Sequence, residues 1–309
     1  MSPEASLAEL PARELGARLR REGLTLRIGP FAVRLRSGLP EMARWLPFLY
    51  GAFPVASPAA FADFHVRVDP PAGLRRWWRP QVSFRFDVST PFKPLPRSQA
   101  LPFLEWGLNW CVARHAHQFL VIHAGVLERA GRVLVLPGPP GSGKSTLCAA
   151  LMNRGWRLFS DELALLRPET GRVYPIPRPV SLKDEAIRVI GARFPEAGLG
   201  PLCEDTAKGT VAHLRPSGEA VRRSGESAPP GWLVRPEFRA GQAARLEPLA
   251  PEEGFGALAD CAFNYNVLGP PGFHALADLA EGCPAYSLPY GDLDRACHLL
   301  EELAGAGGP

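Results

Sequence analysis

The chain has 309 residues, 46% of them hydrophobic and 21% charged, and a formal net charge of +4. These values fit a globular protein of one large or two modest domains. They exclude a bilayer-spanning helix, since no apolar run reaches the roughly 18 residues required, and the basic excess is too small and scattered for a nucleic-acid binder.

Residues 1–23 carry Glu4, Glu9 and Glu14 with Arg13, Arg18, Arg20 and Arg21, and read as a polar helix. They lack the apolar centre of a secretory leader, so the expected location is the cytoplasm, with no membrane partner. Leu24, Leu26 and Ile28 alternate with other residues, and after Gly29-Pro30 the alternation resumes at Phe31, Val33 and Leu35; this predicts a strand pair with a tight turn. A helix is predicted over 40–53 and strands over 64–68 and 82–86, separated by a Pro/Gly/Trp-rich loop at 70–80. Residues 1–100 therefore read as a small, mostly antiparallel α+β domain. A proline-rich connector, 91–102, leads into a second domain, 101–309.

Leu104, Leu108, Cys111, Val112 and His115 share one helical face, predicting a helix over 102–117. A strand at 119–123, a turn at Ala130-Gly131 and an apolar run at 133–136 follow, the run stopping at Pro137-Gly138. The next helix starts near Lys144 and ends at Gly155, and a strand over 156–159 ends at Ser160-Asp161. A hairpin is predicted around Thr170-Gly171, loops over 192–226, short strands at 232–235 and 244–248, and helices at 254–262, 272–280 and 292–303. The six cysteines contain no CxxC pair and are expected to be reduced and partly buried. The seven tryptophans read as core and domain-contact residues.

Gly138-Pro139-Pro140-Gly141-Ser142-Gly143-Lys144-Ser145 matches GxxxxGK[ST] at every fixed position. The chain's own residue frequencies give roughly three chance matches per thousand chains of this length. The glycines let successive N–H groups curl around one phosphate, and the following helix, through Ser145 and Thr146, adds its positive end. Lys144 would reach β- and γ-phosphate oxygens, and the Ser145 hydroxyl would ligate Mg²⁺. These features predict ATP with Mg²⁺. Asp161-Glu162 ends the strand after the loop helix. A right-handed crossover would set that strand beside the P-loop strand, bringing both carboxylates to the phosphates as metal ligands or proton acceptors. His123, at the end of the preceding strand, would face the γ-phosphate if the two strands pair.

From His123 to Leu166 the sequence resembles the catalytic core of HPr kinase/phosphorylase: His123-Ala124-Gly125, the loop from Gly138 to Ser145, Arg154-Gly155, then Asp161-Glu162. It is most similar to a divergent branch, the HPr kinase-related kinases, which the N-terminal unit and Ala262-Phe263-Asn264-Tyr265-Asn266 also resemble. The family has His-Gly and Asp-Asp where this chain has His-Ala-Gly and Asp-Glu, and its Glu-x-Arg-Gly-x-Gly signature has no counterpart. The resemblance implies an α/β P-loop kinase domain of the HPr kinase and phosphoenolpyruvate-carboxykinase type, a mixed sheet with flanking helices. It also implies Asp161 as base on the attacking hydroxyl, Lys144 stabilising the transferring group and His123 close by. The acceptor would be a Ser or Thr hydroxyl of a protein or peptide.

Arginine dominates the basic residues, and lysine occurs only at 93, 144, 183 and 208. Arg178, Lys183 and Lys208 are candidate contacts to phosphate or acceptor, supplying an added cation for the transfer step. Asn264-Tyr265-Asn266 reads as a helix-ending turn or an acceptor contact. Two other readings stand beside the protein kinase: a small-metabolite P-loop kinase, and a nucleotide-binding regulatory or assembly ATPase without an acceptor. GTP or pyrophosphate as donor, a phosphorylase activity and a homo-oligomer stay open.

Overall fold

The computed structural model describes residues 5–73 and 78–306; Glu4, named above, and Trp77, one of the seven tryptophans and part of the 70–80 loop, lie outside the described residues. In chain order the first elements are α1 (Ala12–Arg20), β1 (Leu24–Ile28), β2 (Phe31–Arg36), α2 (Pro40–Tyr50), β3 (Phe64–Asp69), β4 (Gln81–Phe86), β5 (Leu95–Pro96) and α3 (Ala100–His115). Then come β6 (Leu120–Arg129), β7 (Arg132–Pro137), α4 (Lys144–Asn153), β8 (Arg157–Ser160), β9 (Leu163–Arg167), β10 (Arg172–Tyr174), β11 (Val180–Lys183), α5 (Glu185–Arg193), β12 (Cys203–Thr206), β13 (Gly209–Leu214) and α6 (Gly218–Arg222). The last are β14 (Pro230–Phe238), β15 (Glu247–Pro248), α7 (Pro251–Ala259), α8 (Tyr265–Leu268), α9 (Pro270–Gly282), β16 (Ala285–Tyr290) and α10 (Leu293–Ala306). No helix among the described residues is long and apolar enough to cross a membrane.

The chain divides into two compact units, Met1–Val112 with Ser181–Arg222, and Ala113–Val180 with Arg223–Pro309. This division does not follow a single cut at residue 100, because a stretch from mid-chain clusters with the N-terminal part. The first unit holds a five-stranded sheet in the order β1-β2-β3-β4-β5. Its pairs are antiparallel except β2–β3, where Val33 to Arg36 run parallel to Phe64 to Arg67. Leu15 and Leu19 of α1, and Met42, Leu46 and Leu49 of α2, are buried.

Residues predicted as loops, 192–226, instead contain two strands and a helix. A three-stranded sheet, β11-β13-β12, belongs largely to this first unit. Its strands are short and closely punctuated: Asp205 within β12 and Gly209 at the start of β13 both take positive φ. Turn-forming residues at that density hide strand periodicity. Gly209 is required there, since a Cβ would collide with the Asp184 carboxylate, which accepts the Thr210 N–H at 2.9 Å.

The second unit is built on an eight-stranded mixed sheet in the order β10-β9-β6-β7-β14-β16-β15, with β8 also paired to β6. β7, β14 and β16 are parallel; β6 is antiparallel to β7, β8 and β9. One sheet face, through Val126, Val133, Val135 and Leu233, packs on Leu258 of α7 and Leu276 and Leu279 of α9. The side chains between them along β7, Leu134 and Leu136, are also fully buried, and α4 covers that face. The architecture is thus α/β, a mixed sheet with flanking helices. All six cysteines are thiols, and all but Cys261 are buried. Trp156 and Trp232 are core residues, whereas Trp78 is 75% exposed and does not meet the expectation for tryptophans.

The sequence placed β8 beside β7, and the structure corrects this. Ala130 and Gly131, both at positive φ, close a two-residue hairpin that makes β6 the antiparallel neighbour of β7. β14 takes the other edge of β7, so β8 is left to pair with the far side of β6.

Candidate phosphate-binding site

β7 delivers the chain to the loop at Gly138, and the loop turns into α4 at Lys144. Gly138, Gly141 and Gly143 all have positive φ. A Cβ on Gly143 would strike the Tyr290 hydroxyl, which donates to the Gly143 carbonyl at 3.3 Å. Tyr290 is buried, and burial pushes its pKa up, so the phenol stays protonated as a donor. The loop is held from its other side by the Phe238 N–H, which donates to the Ser142 carbonyl at 3.2 Å. Pro139, Pro140 and Gly141 are exposed, and Ser145 and Thr146 are half-buried on the first turn of α4.

Lys144 is buried, and its ammonium donates to the carbonyls of Gly138 at 2.6 Å and Pro139 at 3.0 Å. Burial lowers its pKa from the ordinary lysine value, and the carboxylates of Asp161 and Glu162 oppose that shift. The Ser142 hydroxyl oxygen is buried with no hydrogen-bond partner among the described residues. A buried orphan hydroxyl beside a folded-back lysine, in a glycine loop at a helix N-terminus, is a donor set suited to an anion.

The register explains how the acidic pair reaches this loop without neighbouring strands. β6 meets β8 at Val126↔Ser160 and β9 at His123↔Leu163, so the chain kinks at Asp161-Glu162 opposite Ala124-Gly125. On its other edge β6 pairs Ala124 with Pro137, the last residue before the loop. Loop start, Ala124 and acidic pair therefore lie in one row across the sheet. The Ser160 hydroxyl shapes the kink by accepting the N–H groups of Glu162 at 3.3 Å and Leu163 at 3.0 Å. Gly125 lets α4 sit close, because a Cβ there would fall 2.5 Å from the Cys148 sulfur.

Asp161 is 4% exposed, and Glu162 Oε2 lies 3.2 Å from His123 Nε2. The structure thus gathers the loop, Lys144, Asp161, Glu162 and His123. Comparison with models of known protein families gives no match for this chain, and comparison with curated proteins gives none. Among the described residues no three His, Cys, Asp or Glu side chains form a metal cluster. Mg²⁺ bound with phosphates needs only one or two carboxylates, so Ser145, Asp161 and Glu162 would remain the candidate ligands.

Arg178 is buried in the second unit, two residues beyond Ile176, whose N–H donates to Phe159 of β8. Lys183 and Lys208 belong to the first unit; Lys208 is exposed, its ammonium 5.2 Å from the centre of the Trp106 ring.

Four residues of the site were not legible as such in the sequence. Phe238 and Tyr290 reach the loop through long-range pairing. The Cys261 sulfur accepts from the Gly138 backbone, and burial raises its pKa against the opposing pull of Lys144. Asn264, read as part of a helix-ending turn or an acceptor contact, is 2% exposed and staples 261–264 to the sheet: its amide oxygen accepts the Val121 N–H at 2.9 Å and its amide nitrogen donates to Phe119 O at 2.9 Å.

Proposed function

We propose that this protein is an ATP-dependent kinase that transfers the γ-phosphoryl group to a hydroxyl, with a Ser or Thr of a protein or peptide as acceptor. The observation carrying the reading is the row Pro137, Ala124, Asp161-Glu162, which sets two carboxylates beside a phosphate loop. The HPr kinase and phosphoenolpyruvate-carboxykinase type of P-loop kinase is the fold type that agrees with the mixed sheet and with the sequence resemblance.

In this reading Lys144 exchanges the carbonyls of Gly138 and Pro139 for β- and γ-phosphate oxygens, trading neutral acceptors for charged ones. The N–H groups of the loop and of the first turn of α4 donate to the same phosphates. Ser145 and Asp161 would hold Mg²⁺, which neutralises charge on the β- and γ-oxygens when bound. Asp161 orients the acceptor hydroxyl and takes its proton. Glu162 shares the charge at this edge and is held by His123. Such an arrangement works mainly by positioning and electrostatics, as phosphoryl transfer requires.

The test is transfer of labelled γ-phosphate to Ser/Thr-containing peptides and proteins, with Lys144→Ala beside the parent. Lys144→Ala should abolish turnover with the fold intact by circular dichroism. Equal turnover in both proteins would sink the assignment, and hydrolysis without any acceptor would favour the regulatory ATPase instead.

A further inference from the structure

The sheet order gives the phosphate loop two unlike flanks. On the β6 side of β7 stand the carboxylates; on the other side stands β14, which ends at Phe238 beside the loop. A linear triphosphate with its γ end toward the carboxylates points its other end toward β14.

At that flank the chain presents an aromatic ring. Phe238 is 50% exposed, although its N–H is fixed on the Ser142 carbonyl. Strand alternation places it opposite to Leu233, on the sheet face that carries α4. The ring packs edge-on against Tyr290, centroids 5.5 Å apart at 66°. The turn after it is locked: Arg239 N–H donates to Tyr290 O at 2.8 Å, and Gly291 N–H to Gln242 O at 2.8 Å. A Cβ on Gly291 would lie 2.6 Å from Arg239 O and 2.7 Å from the amides of Gly241 and Gln242, so the turn has no slack. Single exposed apolar residues are common and need no partner. Here exposure is joined to a rigid support and to a place at the loop where a ligand's far end must pass.

Resting on the kinase reading, we infer that Phe238 is the stacking platform for the nucleobase of the donor. The donor is then a nucleoside phosphate, not pyrophosphate or a polyphosphate, because only a base uses the ring. An aromatic face accepts any base, since every base has a π-face.

The experiment compares Mg²⁺-ADP with Mg²⁺-pyrophosphate by calorimetric titration of the parent, Phe238→Ala, Phe238→Trp and Lys144→Ala. Both ligands carry two phosphates and differ by the nucleoside. The parent should bind ADP at least tenfold more tightly. Phe238→Ala should lower ADP affinity about tenfold, leave pyrophosphate affinity unchanged, and Phe238→Trp should restore ADP. Equal affinities of the parent for the two ligands would overturn the inference. So would a Phe238→Ala that binds ADP like the parent, or one that weakens both ligands alike, which would make Phe238 a support of the loop. Lys144→Ala reports on the phosphate loop separately. If it binds pyrophosphate as the parent does, the kinase reading fails and the inference fails with it.

Discussion

Gly125→Ala tests whether close approach of α4 to β6 sets the loop lysine. Gly125 has no positive φ, so alanine fits the backbone and only space is at issue. The new methyl would lie 2.5 Å from the Cys148 sulfur, against an ordinary contact of about 3.5–4.0 Å, so about 1 Å must be found. Leu136, at 3.6 Å, is already at normal contact and need not move. The sulfur is bonded directly to Cβ in a wholly buried side chain, so relief comes from shifting α4. Cys148 lies one turn after Lys144, and that shift carries the lysine with it. Overpacking of this kind costs about 1–3 kcal/mol of stability. A displacement near 1 Å at the reacting groups can cost about a hundredfold in transfer. Urea denaturation and single-turnover transfer should therefore both report the change. Gly125→Ala/Cys148→Ala puts the methyl into the space of the lost sulfur, so the double variant should be more stable than the two single effects added predict, by about 1 kcal/mol or more. Strict additivity, or a Gly125→Ala as stable and active as the parent, would refute the packing argument.

Three further expectations follow from the site. Asp161→Asn should bind ATP within a few-fold of the parent while transfer falls by about 10²–10⁴, measured by titration and labelled transfer; if binding falls equally, Asp161 acts chiefly through the metal. Lys144 has its pKa lowered, so it loses its proton earlier than an ordinary lysine as pH rises, and nucleotide affinity should fade on the alkaline side below pH 10.5. Because Asp161 is the leading charge that holds this pKa up, Asp161→Asn should move that limb to lower pH, and an unmoved limb in an affinity–pH titration would disprove the coupling. Asn264→Ala strands a buried N–H and a buried carbonyl on β6 and the residue before it, at about 1–3 kcal/mol each; a denaturation midpoint equal to the parent's would show the staple to be dispensable.

The loop and its flanking elements were legible because each has a local cause. An apolar run ending at Pro137-Gly138, a glycine loop and a helix capped near Gly155 need no distant partner to be recognised. β6 was read only over 119–123, though it runs to Arg129, because Gly125 and Glu128 interrupt its apolar pattern. Glu128 is buried there on the Arg157 guanidinium at 2.6 Å, a compensation visible only in three dimensions. β16 went unread: two prolines and a glycine border or enter Ala285–Tyr290, yet pairing with β14 keeps it a strand. The carboxylates were expected beside the loop by a wrong route, a direct β7–β8 neighbourhood. Their true route is the length of β6, which pairs with three strands at once. Pairing partners are non-local, and alternation within a strand does not name them.

The loop is fastened by Phe238 and Tyr290, which are made long after Lys144 during synthesis. A ribosome that has released the chain only as far as Val180 has exposed β6 to β10 and α4, but neither β14 nor β16. The nascent segment then carries the complete GxxxxGKS signature without the neighbours that hold its curl. On the kinase reading, nucleotide capture would then be a property of the finished chain, and a bound nucleotide would in turn favour the docked state of β14 over its detached one.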